Sequence, residues 1–288
     1  MTAVYKRELR AYMSNVYGWL FMAVLLLFVG FLVYLENLRV GQPSIEYALL
    51  GGEYVLPLLI PVLCMRSMAE DRRNKTDMFY LSLPMKTSAV VLGKYFALLT
   101  VFALPCGVIA TYPLVLGAFG NVNFLGAYAS LLFFFLLGAA LIAVCQFLSA
   151  LTDNLVVAAV LGVIGSLVLF ALPILGYVLP EAAVVSFAGL LVLYALAAGI
   201  TYLATRNSIL TVIVAALLII PTSVAYLLIP ELFAGLLPAL LVFFGPFGHF
   251  ENAAAVGIFN VSSLVLLLSY ALFFVVLTVR AADKKRWA

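Results

Sequence analysis

YKRELRAYMSNVYGWLFMAVLLLFVGFLVYL, residues 5–35, decides the class of this chain. Its second part, Val16–Leu35, is an unbroken apolar run long enough to cross the hydrocarbon of a bilayer, which takes roughly 17–25 residues. Its first part carries Lys6, Arg7 and Arg10 beside Tyr5, Leu9, Tyr12 and Met13, which repeat at i, i+4, i+7 and i+8. That spacing predicts a short amphipathic helix over residues 2–14, lying in the membrane interface. A polar tail with accidental periodicity is the other reading. The apolar run is too long for a secretory signal and is followed by Glu36-Asn37-Leu38-Arg39 rather than small residues, so it reads as a retained span.

Seven more runs of this kind follow: Ala48–Met65, Tyr95–Ala118, Phe124–Leu151, Leu155–Leu179, Val184–Ala204, Ile209–Ile229 and Val261–Val279. With 67% hydrophobic and 9% charged residues in 288, and a mean hydropathy of +1.24, the solvent for this surface has to be lipid. The runs are continuous rather than alternating, which predicts helices and not a barrel. The expected fold is therefore an all-α polytopic membrane protein of about eight transmembrane helices, forming one domain over residues 1–288.

Threading these runs from an N-terminus on the inner side leaves only Arg39 outside among the 15 Lys and Arg residues. Short loops carry their basic residues on the cytoplasmic side, so both termini are expected there. The acidic residues divide evenly: Glu36, Glu46, Glu53, Glu181, Glu231 and Glu251 fall outside. The net charge of +3 reflects this topology and inner-leaflet lipid; it does not imply a nucleic-acid partner.

Other features organise the chain. Residues 66–87 form the longest inner loop, RSMAEDRRNKTDMFYLSLPMKT, a charged cluster leading into Met78–Leu81 and stopped by Pro84. Two readings fit it: a loop helix that docks a cytosolic partner, or a solvated loop that anchors topology. Residues 181–229 read as a helical hairpin turning at Thr205-Arg206-Asn207-Ser208. Residues 230–260 include Leu232–Phe244, an apolar stretch too short to span and broken by Gly235 and Pro238, which suits an extracellular re-entrant element.

Catalytic patterns do not emerge. Gly93-Lys94 lacks the rest of a phosphate-binding loop, and His249 is the only histidine. Cys64, Cys106 and Cys145 lie inside spans and read as packing residues. No cofactor or metal site is expected in this chain. Glu53 lies a few residues inside the outer half of the second span, where ionisable groups are costly. It is either a residue of a translocation path or a side chain reaching the headgroups. Lys94 is expected to extend toward the inner interface. Pro57 and Pro61 leave backbone carbonyls without their helical partners, which kinks a span or lines a cavity.

One resemblance narrows the class. Glu70-Asp71-Arg72-Arg73-Asn74-Lys75-Thr76-Asp77, followed by Leu81-Ser82-Leu83-Pro84 and Val90-Val91-Leu92-Gly93-Lys94, resembles the cytosolic loop of ABC-2-type ABC transporter permeases. Tyr5–Arg10 is similar to that family's opening helix, and Leu148–Asn154 to one of its interhelical turns. His249-Phe250-Glu251-Asn252, with Lys285-Arg286-Trp287, resembles the end of the gliding-motility and nitrous-oxide-reductase copper-maturation branch. The resemblance covers residues 1–180 and 245–288. Lys75 stands where the family often has Gly, and the hairpin at 181–229 exceeds its six-span plan.

The resemblance implies an exporter subunit in a bacterial or archaeal plasma membrane. It has an elbow helix at 2–14 and a coupling helix in the 66–87 loop, with Glu70, Asp71, Arg72, Arg73, Lys75, Thr76, Asp77, Phe79 and Leu81 as the residues that meet a cytosolic ATPase. His249, Phe250 and Glu251 belong to the extracellular element. Two ATPase subunits and a second permease, identical or related, are the implied partners, with ATP and Mg on the ATPases. A secondary ion-coupled transporter and a non-transporting membrane assembly scaffold are the alternatives. The first ordinarily shows internal repeats and paired broken helices, and the second shows no polar cluster here.

This topology has a direct test. In a cysteine-free background, a single cysteine at position 42 is expected to react with an impermeant maleimide applied to intact cells, and one at position 206 to be spared. Labelling at 206 from outside removes the eight-span order.

Overall fold

The computed structural model describes residues 1–74, 86–118, 120–257 and 259–286. Among them the chain is helical throughout. Helix α1 covers Thr2–Ser14. Asn15, in extended backbone, separates it from α2 (Val16–Val33), whose end opens into a π-helical segment, Tyr34–Arg39. Then come α3 (Glu46–Gly52), a 3-10 turn at Glu53–Val55, α4 (Leu56–Arg73), α5 (Thr87–Ile109), α6 (Tyr112–Gly117), α7 (Phe124–Ser149) and α8 (Leu155–Val178). The order closes with α9 (Ala183–Thr205), α10 (Ser208–Leu228), a 3-10 turn at Pro230–Phe233, α11 (Leu236–Phe244), α12 (Pro246–Val256) and α13 (Val261–Arg286).

Among the described residues, seven helical stretches are long and apolar enough to cross a membrane: Val16–Arg39, Glu46–Arg73, Thr87–Gly117, Phe124–Ser149, Leu155–Val178, Ser208–Leu228 and Val261–Lys284. The protein is thus an all-α polytopic membrane protein. The expected span at Val184–Ala204 falls within α9, whose described apolar portion, Ala183–Gly199, is shorter than the other seven. Helices α11 and α12 are 9 and 11 residues long, and neither reaches span length by itself. They part at Gly245-Pro246, where proline has no N–H to continue a helix.

The chain forms two compact units, residues 1–170 with 246–288, and residues 171–245. In the first, α7 is the central post. Helices α4, α5, α12 and α13 all pack on it. Gly138, Ala139, Ala140 and Ala143 are buried and let those neighbours approach closely, as small residues do between helices in lipid. Phe102 of α5 lies over Gly138 and stacks on Phe135 at 5.8 Å. Phe133, Phe134, Phe247 and Phe250 complete an aromatic core with no solvent exposure.

Lipid offers no water to an orphaned carbonyl, so helix breaks inside it need side-chain partners. Pro61, inside α4, cannot donate to the carbonyl of Pro57. Ser166 of α8, fully buried, stands there with its Oγ 2.7 Å from that oxygen. Gly162, one turn earlier on α8, faces Pro61 where a β-carbon would be 2.9 Å from the ring. The kink expected from Pro57 and Pro61 is therefore satisfied between helices rather than exposed to a cavity.

In the second unit α9 and α10 lie together, joined at Arg206 and Asn207. Arg206 takes the left-handed conformation (φ 51°), and the Asn207 side chain accepts from the Ile209 and Leu210 N–H groups to start α10. Phe187 stacks on Tyr226 at 4.3 Å, and Phe233 meets both edge-on. Ser186 Oγ accepts from the Leu237 N–H. No residue of α10 is buried.

Gly18 sets how α1 meets α2. A β-carbon there would lie 2.4 Å from the Tyr12 carbonyl oxygen, a backbone atom that cannot turn aside. Gly18→Ala is expected to displace α1 and destabilise the protein by about 1–3 kcal/mol. Gly107→Ala, which meets nothing within 4 Å, is the control. Thermal unfolding in detergent compares the two, and equal melting temperatures would refute the close crossing.

Candidate coupling site

The basic residues around the ends of α1, α4 and α5 do not simply face water. Gly93 of α5 is the reason α1 comes near: a β-carbon there would stand 3.1 Å from both the Met1 carbonyl and the Val4 side chain. With α1 laid against α5, Glu8 reaches the next residue, Lys94. The Lys94 side chain is 3% exposed. Its ammonium lies 2.6 Å from Asp71 Oδ2 and 3.6 Å from Glu8 Oε1, and it donates to the Ser67 carbonyl. Asp71 and the Ser67 carbonyl, both on α4, take N–H groups of the ammonium, and Glu8 of α1 stands at ion-pair distance.

Arg7 closes the arrangement on the outside, pairing with Glu8 and lying 3.6 Å from Asp71. Two cations and two carboxylates thus offset one another, the condition for keeping such groups out of water. Nearby, Arg66 holds Glu70 through two hydrogen bonds of 2.9 and 2.8 Å and covers the Tyr17 ring at 4.6 Å. Arg72 donates to the Ala150 carbonyl and lies 3.9 Å from Asp153, tying the end of α4 to the turn between α7 and α8. Ser149 Oγ, at the end of α7, sits 3.2 Å from the Met65 carbonyl. Tyr12, buried on α1, donates to the Leu63 carbonyl at 3.3 Å. Burial pushes its phenol pKa up, so it stays a neutral donor.

Of the loop residues read as contacts for a partner, Glu70, Asp71 and Arg72 are thus engaged within the protein, and Arg73 is exposed. Lys75, Thr76, Asp77, Phe79 and Leu81 lie outside the described residues. The Lys94 side chain, expected to extend toward the inner interface, ends on Asp71 and Glu8. Glu8 and the buried Gln146, which donates to the Val91 carbonyl at 3.2 Å, had no sequence signal of their own. The one available hint was Gly93 beside a lysine in an apolar run.

At the far end of α4 lies a second buried group. Glu53 is 1% exposed, and its carboxyl has Glu251 of α12 as a charged neighbour. His249 Nδ1 lies 3.3 Å from Ser263 Oγ, and Phe250 is buried edge-on against Phe134 at 5.9 Å. Glu46, also buried, has its Oε1 near Gly126 and Gly257.

The stretch bearing Asp71, Lys94 and Asp153 is also where the chain matches a known family. Residues 9–210 fit the profile described as ABC-2 family transporter protein. The chain belongs to the ABC-2 family. It is thus a membrane component of an ABC transporter. The match ends before His249 and carries nothing about the gliding-motility and copper-maturation branch. No curated protein and no solved structure matches the chain.

Removing one member of a buried ion cluster leaves its partners uncompensated, at a cost of about 3–5 kcal/mol. Lys94→Met is expected to lower stability by roughly that amount, and Lys94→Met with Asp71→Leu to recover part of it. A double-mutant cycle on thermal unfolding measures the coupling. Additive effects would show that the two side chains do not interact.

Proposed function

We propose that this ABC-2 permease is the path-forming subunit of an exporter. In this reading it converts the closure of two cytosolic ATPase subunits into movement of its spans. A second permease, identical or related, completes the assembly. ATP and Mg are held by the ATPases, and this chain holds no cofactor. The termini lie in the cytosol of a bacterial or archaeal cell. The orientation is supported by the basic asymmetry that leaves Arg39 alone outside.

The observation that carries the coupling role is the Lys94 cluster. Asp71 and Arg72 stand at the root of the 66–87 loop, and through Lys94, Glu8, Ala150 and Asp153 that root is fastened to α1, α5 and the α7–α8 turn. A push on the loop is then felt by four helices together, as rigid-body transmission requires. Glu70, Asp71 and Arg72 act in this reading as the anchor. Arg73, Lys75, Thr76, Asp77, Phe79 and Leu81 supply the surface for the ATPase.

Residues 2–14 serve as the elbow helix and 181–229 as a hairpin added to the six-span core. Residues 230–260, with His249, Phe250 and Glu251, form the extracellular re-entrant element. Glu53 is the path residue proposed at its inner edge, and its approach to Glu251 supports a connection between that element and the second span.

Charge pairs at such contacts cost about 2–5 kcal/mol when one partner is truncated. Asp77→Ala combined with Phe79→Ala is expected to weaken ATPase pull-down or uncouple ATP turnover from transport, with membrane insertion intact. Unchanged association and turnover in lipid would move the coupling role to Thr152–Asn154 or to α1.

A further inference from the structure

A groove of about 680 Å³ runs between α5, α7 and α13. Its apolar lining comes from Leu92 and Phe96 of α5, Leu136 and Ala139 of α7, and Leu268 and Leu272 of α13. Leu268 and Leu272 are exposed, so the groove opens on the lipid-facing surface. Along α13 the apolar part runs from Leu267 to Val279. At about 1.5 Å per residue that is roughly 18 Å. A bilayer's hydrocarbon is about 30 Å thick, so the groove is about one leaflet deep.

One end is polar. Ser88, Arg280 and Asp283 line it. Arg280 is exposed and forms no ion pair among the described residues. Positions three apart on a helix are surface neighbours, about 5–6 Å between β-carbons. Arg280 and Asp283 therefore present one cation and one anion side by side at the mouth of a leaflet-deep apolar slot.

We propose that this groove is a phospholipid site that takes one acyl chain of phosphatidylethanolamine, with the phosphate on Arg280 and the primary ammonium on Asp283. The headgroup carries both charges on a two-carbon link, which suits the Arg280–Asp283 pair. A purely anionic headgroup meets Asp283 with like charge. A choline headgroup has no N–H to donate to that carboxylate. A helix from a second copy would need the full hydrocarbon thickness, beyond the apolar length available. The site is independent of ATP coupling. Only its assignment to the inner leaflet rests on the proposed orientation.

The test uses the full chain, delipidated in detergent, with phosphatidylethanolamine, phosphatidylcholine and phosphatidylglycerol of identical acyl chains. Native mass spectrometry is expected to show phosphatidylethanolamine retained at least tenfold better than the other two, and thermal unfolding to shift upward with it alone. Arg280→Gln is expected to abolish retention of all three. Asp283→Asn should bring phosphatidylethanolamine down to the phosphatidylcholine level. Ala271→Phe, which narrows the groove without touching its charges, should weaken all binding. Equal retention of the three lipids would reduce the groove to ordinary boundary lipid and overturn the proposal, as would unchanged retention in Arg280→Gln. Efficient disulfide cross-linking between copies through Leu272→Cys, at the expense of bound lipid, would assign the groove to a second chain instead. A reversed orientation would appear in the labelling at positions 42 and 206 and leave lipid retention untouched.

Discussion

A lysine ammonium removed from water is the constraint around which one end of this protein is arranged. Lys94 sits in an apolar run where an unpaired charge would be expelled or neutralised. It stays because Asp71, Glu8 and the Ser67 carbonyl surround it. Those three come from two other helices, so α1, α4 and α5 are held in one relative position whenever the charge is satisfied. The placement of Arg7 follows from that position.

Away from this cluster the bundle relies on close approach and shared hydroxyls. Helices in lipid gain little from apolar burial alone, since tails are as apolar as Leu. Small residues on α7 bring the neighbours near, and Phe102 fills the space over Gly138. Polar side chains inside the bundle mostly hold backbone oxygens of a neighbouring helix: Tyr95 that of Ala139, Gln146 that of Val91, Ser166 that of Pro57. At Pro57 the point of attachment is a carbonyl that the proline at 61 leaves without its helical donor.

What could be read from the sequence divides along the same physical line. Apolar length is a local property, so Val16–Leu35 and its successors were legible as helices. The turn at Arg206-Asn207 was legible for the same reason, since its signals are adjacent residues. Family membership was legible because the Glu70–Lys94 pattern is also local. The partners of Lys94 were not, because Glu8 and Asp71 lie far from it along the chain and meet it only after three helices have packed. The charges of Glu70–Arg72 looked like a solvated surface for the same reason. Glu53 and Glu251 come from opposite ends of the sequence, and only folding puts them face to face.

The Ser166–Pro57 hydrogen bond has a consequence for how this sequence can drift. The hydroxyl is useful at position 166 because position 61 is proline. Any other residue at 61 restores an N–H for the Pro57 oxygen and leaves the serine redundant in an apolar setting. Losing the serine first strands a carbonyl in a place without water. Positions 61 and 166 therefore form a pair whose histories are tied, and the order of change matters: the proline is free to go before the serine, and the serine is not free to go before the proline.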